Sequence, residues 1–146
     1  MEFKHDAQKA IYGKVAGMLK EVFGEMARPR EDGPAFTVHY GSAFVNVSVD
    51  AWGDDDAVVT ARSWVVTEVE MVPELMHFLL RENNDFRFGA FGIDDDEDIF
   101  FEHAIVGSTC QKEELKASIM AVLRTADDYD DQITSRWGGL KASDRS

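Results

Sequence analysis

The stretch FTVHYGSAFVNVSV, residues 36–49, contains the pattern that decides the fold. Apolar and polar side chains alternate before and after Gly41-Ser42, as in two strands that are joined by a tight turn. A second turn-forming segment, residues 53–56, precedes residues 57–69, which are rich in β-branched side chains. These segments predict an antiparallel meander of three strands.

Helices are predicted on both sides of this meander. In residues 7–26 apolar side chains recur at steps of three and four, which indicates a long amphipathic helix. We expect it to end near Arg28, because Pro29 and a run of turn-forming residues follow. After the meander, Pro73 suits the first turn of a short buried helix that ends around Asn83-Asn84.

The remaining residues predict a second hairpin and a last helix. Residues 86–93 and 99–106 are interpreted as strands, joined by the polar turn at residues 94–98. Ser108 or Thr109 can cap the last helix, whose apolar stripe continues to Ile133.

The predicted order of elements is therefore α-β-β-β-α-β-β-α. It favours an α+β fold in which a single-layer antiparallel sheet is flanked by helices. No repeat and no Gly/Ser-rich or Pro-rich linker divides the chain. We expect one domain over residues 1–146, with residues 1–6 and 138–146 as frayed tails.

The composition restricts the partners. The 146 residues are 45% hydrophobic, which suffices for a folded core, and their formal net charge is −13. This charge repels phosphate backbones and anionic membranes, so we expect neither nucleic acid nor membrane as a partner. The single cysteine, Cys110, cannot form an internal disulfide, and the N-terminal residues lack the apolar core of a signal peptide. We therefore expect a cytoplasmic protein.

Catalytic motifs are not recognisable in the sequence. We find no glycine-rich phosphate loop, serine elbow or kinase signature. His103 lies on an apolar strand face and is interpreted as a core or interface histidine, and Cys110 as an inert, partly buried thiol. We therefore predict no enzymatic activity, no catalytic residues, no metal and no cofactor.

Clustered carboxylates leave two alternatives open. Asp127, Asp128 and Asp131, or the turn at residues 94–98, could serve a metal-dependent enzyme or sensor, because hard cations prefer such oxygens. The turn does not follow EF-hand spacing, since Ile99 stands where that loop needs glycine. Alternatively, the acidic surface could imitate a nucleic acid and occupy a basic partner.

Several segments carry a family resemblance. They are LLREN at residues 79–83, FRFGAF at residues 86–91, the second hairpin, and ADDYDD at residues 126–131 near the end of the last helix. With these segments the chain resembles the YbjN-like family, which shares the fold of the type III secretion chaperones. The resemblance implies a cytoplasmic dimer that binds an unknown protein client in extended form, and it implies binding, not catalysis.

The second hairpin carries more apolar surface than one sheet face needs. Aromatic and aliphatic side chains occupy both faces of its two strands, so one face could cover the helices while the other meets a second copy. We therefore predict a homodimeric protein-binding module. Its predicted interface or groove residues are Phe86, Phe88, Phe91, Phe100 and Phe101.

Overall fold

The computed structural model describes residues 1–144. Its three α-helices are α1 (Asp6–Phe23), α2 (Pro73–Asn83) and α3 (Lys112–Trp137). Its strands are β1 (Ala27–Pro29), β2 (Ala35–Tyr40), β3 (Ala43–Trp52), β4 (Asp56–Thr67), β5 (Ala90–Ile93), β6 (Ile99–Val106) and β7 (Leu140–Lys141). Within the described residues, no helix is long and apolar enough to cross a membrane.

All strand pairs are antiparallel, in the order β1-β2-β3-β4-β6-β5, and β7 pairs with the end of β4. The fold prediction is confirmed: this is an α+β protein with an open antiparallel sheet and helices. The meander forms because the alternation around Gly41 places Val38 opposite Val45 in the β2–β3 hairpin. The second hairpin adds β6 beside β4 and leaves β5 at one edge of the sheet.

One face of the sheet holds the core. Val47, Ala61 and His103 are neighbours on this face, where α1 and α3 pack through Val15 and Ile119. On the opposite, open face, a polar row crosses the same strands and consists of Thr37, Asn46, Arg62 and Glu102. Alternation along the strands therefore separates an apolar face under the helices from a polar face toward solvent.

Both predicted tails contain ordered contacts. The Lys4 amide donates to Gln8 Oε1 at 2.7 Å, and the His5 ring accepts from the Gln8 amide as the cap of α1. At the other end, Leu140 and Lys141 pair with Thr67 and Val66 of β4. These contacts join both ends of the described chain to the rest of the fold. The single domain with tails at residues 1–6 and 138–146 stays a prediction, and residues 145–146 lie outside the described part of the chain.

Two other boundaries differ from the sequence-based prediction because of glycines. The long first helix ends at Phe23, since Gly24 has a φ of +57°, and residues 27–29 form the additional strand β1. Gly89 has a φ of +92°, and a Cβ there would lie 2.6 Å from the Glu102 carbonyl oxygen. The strand predicted from residue 86 therefore begins only at Ala90.

Candidate functional site

An apolar groove opens between α1 and the edge strand β1. Its volume is about 470 Å³. The apolar lining comes from both elements and from β2 and consists of Tyr12, Ala16, Leu19, Ala27, Pro29 and Phe36. Lys20 and Glu25 lie at the same groove, so it combines an apolar lining with charges of both signs.

The groove exists because α1 has two apolar stripes. Ile11, Val15 and Leu19 are buried against the sheet, whereas Tyr12 and Ala16 lie beside them and are half-buried. The Tyr12 ring stacks on Phe36 with 4.8 Å between ring centroids. The neighbouring strand β1 has three residues, so it leaves the flank of α1 uncovered.

The outer edge of β1 presents acceptors. The Arg30 amide donates to the Ala35 carbonyl at 2.8 Å, and hydrogen-bonded pairs alternate along an antiparallel ladder. Ala27 and Pro29 therefore direct their backbone groups away from β2. Pro29 has no N–H, and the Ala27 amide already donates to the Gly24 carbonyl. A peptide that lies beside β1 meets the carbonyl groups of these two residues.

Three of the predicted interface residues pack inside this chain on the helix face. Phe91 and Phe101 are buried, and Phe86 is half-buried between them and Tyr129. Ring centroids in this cluster lie 5.0–5.5 Å apart in edge-to-face geometry: Phe86 with Phe101, Phe91 and Tyr129, and Phe91 with Phe101. These three phenylalanines of the second hairpin and the loop before it therefore pack against α3 within the chain.

The other two predicted residues lie apart from that cluster and from each other. Phe100 is buried on the open face, where the Arg62 guanidinium lies 3.8 Å above its ring. Phe88 is 61% exposed, and its ring is perpendicular to that of His103, with 5.8 Å between the ring centroids. The five phenylalanines thus do not form one groove, and Phe88 is the member that a partner can reach.

The acidic turn is held by its own hydrogen bonds. Carboxylate oxygens of Asp94, Asp96 and Asp98 lie within 4.8 Å of one another. Asp94 Oδ1 accepts from the Asp96 and Asp98 amides, and its Oδ2 accepts from Trp64 Nε1 at 3.0 Å. Burial is the largest single influence on the Asp94 carboxyl group and acts to raise its pKa. The hydrogen-bond donors together outweigh burial, so the pKa of Asp94 is lowered. The observed contacts therefore account for the conformation of the turn.

The aspartates of α3 point in different directions. Asp127, Asp128 and Asp131 are exposed, and Asp131 forms an ion pair with Lys141. Asp130, which the sequence did not single out, is buried, and burial raises the pKa of its carboxyl group. The three predicted metal-site carboxylates therefore lie on the solvent side of the helix.

The two nucleophile candidates are shielded. His103 Nδ1 lies 2.8 Å from Ser118 Oγ, but Ser118 is only 4% exposed, so a substrate could not reach this hydroxyl group. Burial lowers the pKa of His103. Cys110 is buried, and burial raises the pKa of its thiol, which favours the unreactive protonated form. The Ser118 hydroxyl group and the Cys110 thiol are therefore both buried.

Four large apolar side chains on α2, in the loop after it and on β5 are exposed. Met76 and Leu80 lie one helical turn apart on the solvent side of α2, and Leu80 is 72% exposed. Phe88 follows in the loop after α2, and Ile93 ends β5. We call these four residues the α2–β5 patch.

The architecture places the chain among secretion chaperone folds. The structure in "Crystal Structure of the ExsC-ExsE Complex" matches with a TM-score of 0.65 at 17% identity, covering 82% of this chain and 93% of that chain. The structure in "Structure of the HopA1-SchA Chaperone-Effector Complex" matches with a TM-score of 0.64 at 9% identity, covering 84% and 96%. No curated protein matches the sequence.

The family follows from the sequence match. Residues 11–145 match the family TY-Chap1, described as "T3SS (YopN, CesT) and YbjN peptide-binding chaperone 1". The chain belongs to this family, and the predicted resemblance is confirmed.

Sequence reasoning missed the groove between α1 and β1. Tyr12 and Ala16 were not singled out, because they fall beside the main apolar stripe of α1. Pro29 was interpreted as part of a loop. A signal was present in the spacing, since Tyr12 and Ala16 are four residues apart and form a second, narrower apolar row on the same helix.

Proposed function

We propose that this protein is a peptide-binding module of chaperone type that holds an apolar client segment in the groove between α1 and β1. The observation that carries this proposal is the solvent-open groove of about 470 Å³, lined mainly by apolar side chains. Membership in a family described as peptide-binding chaperones supports it, as do matches to a chaperone–effector complex and the ExsC–ExsE complex. The proposed role is non-enzymatic and cytoplasmic.

The groove offers two kinds of contact to a client. Apolar client side chains can bury against Tyr12, Ala16 and Phe36, which supplies affinity through the area removed from water. The outward carbonyls of Ala27 and Pro29 can accept hydrogen bonds from the client backbone, which fixes its direction. Because β1 directs no available N–H outward at these two residues, side-chain burial is the larger contribution.

The proposal can be tested with peptides selected from a phage-displayed library on the immobilised protein. A selected peptide is labelled with fluorescein, and its Kd is measured by anisotropy. We expect Ala16→Arg to raise Kd at least about tenfold, because a charged side chain then fills the groove. The matched control is Ala10→Arg on the exposed side of α1, which should leave Kd unchanged.

Two outcomes would count against the groove. In the first, the library yields no binder to the folded protein. In the second, Ala16→Arg and Ala10→Arg bind the selected peptides equally well while both variants melt like the parent protein. The latter result would move the binding site to another surface.

We further propose that the protein is a homodimer that associates through the α2–β5 patch. All four of these apolar side chains are exposed, and Phe88 is the predicted interface residue among them. Leu80→Asp should lower the mass measured by light scattering from two chains to one, because a charge would be buried at the interface. Leu140→Asp, which changes an exposed leucine on β7, is the matched control. A mass of one chain for the parent protein at every concentration would contradict this proposal.

A further inference from the structure

The sheet edge opposite β1 is covered by a side chain. β5 is the outermost strand there, and Asn83 is the last residue of α2. The Phe91 amide donates to Asn83 Oδ1 at 2.7 Å, and Asn83 Nδ2 donates to the Phe91 carbonyl at 3.2 Å. One carboxamide thus satisfies both backbone polar groups of the middle of the edge strand.

The two hydrogen bonds between Asn83 and Phe91 resemble those between paired strands. In an extended strand the N–H and C=O of one residue point to the same side, and both groups of Phe91 are bonded to Asn83, so they face away from β6. A residue of a neighbouring antiparallel strand would offer Phe91 one acceptor and one donor. The carboxamide of Asn83 offers the same two groups.

We propose that Asn83 closes the β5 edge to strand addition. An uncovered edge strand is a template on which other chains can pair, and short strands and covering groups are the usual protection. The proposal concerns this edge alone, and it holds whether or not the groove at α1 binds peptides. If the groove does bind them, Asn83 confines clients to that side of the sheet.

The edge that this carboxamide covers is very short. β5 has four residues, and by alternation Ala90 and Gly92 direct their backbone groups toward β6. The strand cannot easily extend backward, because a Cβ at Gly89 would lie 2.6 Å from the Glu102 carbonyl oxygen. By the same alternation Phe91 and Ile93 direct their backbone groups outward, and Asn83 occupies both hydrogen bonds that an added strand would make at Phe91.

The strand that would occupy an opened edge is β5 of a second copy. Two copies related by a twofold axis through Phe91 would exchange both hydrogen bonds in an antiparallel pair, which makes a closed, self-complementary contact. Removing the carboxamide should therefore produce association at this edge.

The test compares Asn83→Ala with Asn84→Ala, an exposed neighbour. In dilute Asn83→Ala we expect the Phe91 amide to exchange with deuterium at least about tenfold faster than in the parent protein, measured by NMR. At high concentration the same amide should regain protection, and light scattering should show a mass above that of the parent. Asn84→Ala should match the parent in all three measurements.

Three results would overturn the proposal. They are unchanged Phe91 exchange in Asn83→Ala, fast exchange without any added mass at high concentration, and equal association of Asn84→Ala. If Asn83→Ala fails to fold, the exchange rate of the Phe91 amide is measured in Asn83→Asp instead, because a carboxylate keeps the acceptor for this amide. Slow exchange of that amide in Asn83→Asp supports the proposal, and fast exchange overturns it.

Discussion

The Tyr12 ring of α1 stacks on the Phe36 ring of β2, with centroids 4.8 Å apart and ring planes inclined by 20°. Phe36 is buried in the core, while Tyr12 is half-buried and lines the groove. The pair therefore connects the proposed binding surface to the sheet. A groove wall that rests on a buried ring is held in place before a client arrives, which reduces the ordering cost of binding.

The coupling between these two rings is the first prediction. A double-mutant cycle with Tyr12→Leu and Phe36→Leu should give an interaction free energy of about 0.5–1.5 kcal/mol, since stacked aromatic pairs contribute this much beyond area burial. Guanidinium unfolding of the four proteins measures it. Strictly additive changes in the free energy of unfolding would show that the stacking adds nothing.

The stripe of α3 gives the second prediction. Ile119 is fully buried against the core face of the sheet, so Ile119→Ala should lower the free energy of unfolding by about 2–5 kcal/mol. Lys116 lies one turn earlier and is exposed, so Lys116→Ala should change stability by less than about 0.5 kcal/mol. Equal effects of the two substitutions would mean that the helix faces the sheet with another side.

The meander could be predicted from the sequence because its information is local. Alternation on either side of Gly41-Ser42 specifies both the turn and the face of every residue in β2 and β3. The second hairpin was less predictable. FRFGAF at residues 86–91 alternates like a strand, but the positive φ of Gly89 breaks it, and Phe86 packs edge-to-face on Phe101. That outcome depends on tertiary contacts.

The candidate sites were harder to predict from the sequence than the fold, because each one joins residues that are far apart along the chain. The groove joins residues of α1, β1 and β2, and no single segment contains its pattern. Asn83 was identifiable as a helix end, but its contact with Phe91 depends on how the intervening loop brings β5 back to α2. Conversely, Phe86, Phe91 and Phe101 are apolar for the reason that applies to most apolar residues: they pack inside their own chain.

The third prediction concerns Gly92 in the edge strand. A Cβ at this position would lie 2.4 Å from the Phe100 ring, which is buried beneath Arg62 on the open face. Gly92→Ala should therefore destabilise the fold by about 1–3 kcal/mol through overpacking. In contrast, Gly17→Ala in α1 meets no atom within 4 Å and should stabilise by about 0.5–1 kcal/mol, because alanine favours a helix. Thermal melts should show a lower melting temperature for Gly92→Ala and a higher one for Gly17→Ala. A stabilised Gly92→Ala would contradict the packing described for Phe100.

The last prediction concerns Asp130, which lies on the buried stripe of α3 between Ala126 and Ile133 and is only 6% exposed. Burial is the largest influence on its carboxyl group and raises its pKa, while Lys141 of β7 acts in the opposite direction. The folded protein therefore binds more protons than the unfolded chain at pH values between the unfolded and the folded pKa. Stability falls as the pH rises through this window, and above it a constant penalty remains.

Asp130→Asn removes the charge and should raise the melting temperature at about pH 7. The advantage over the parent protein should shrink as the pH falls from the folded pKa toward the unfolded pKa and vanish below both, because Asp130 is then protonated in both states. Asp127→Asn, on the exposed side of the same helix, is the control and should change stability by less than about 0.5 kcal/mol. A lower melting temperature of Asp130→Asn at neutral pH would show that the carboxylate stabilises the fold, and the sign argued from burial would be wrong.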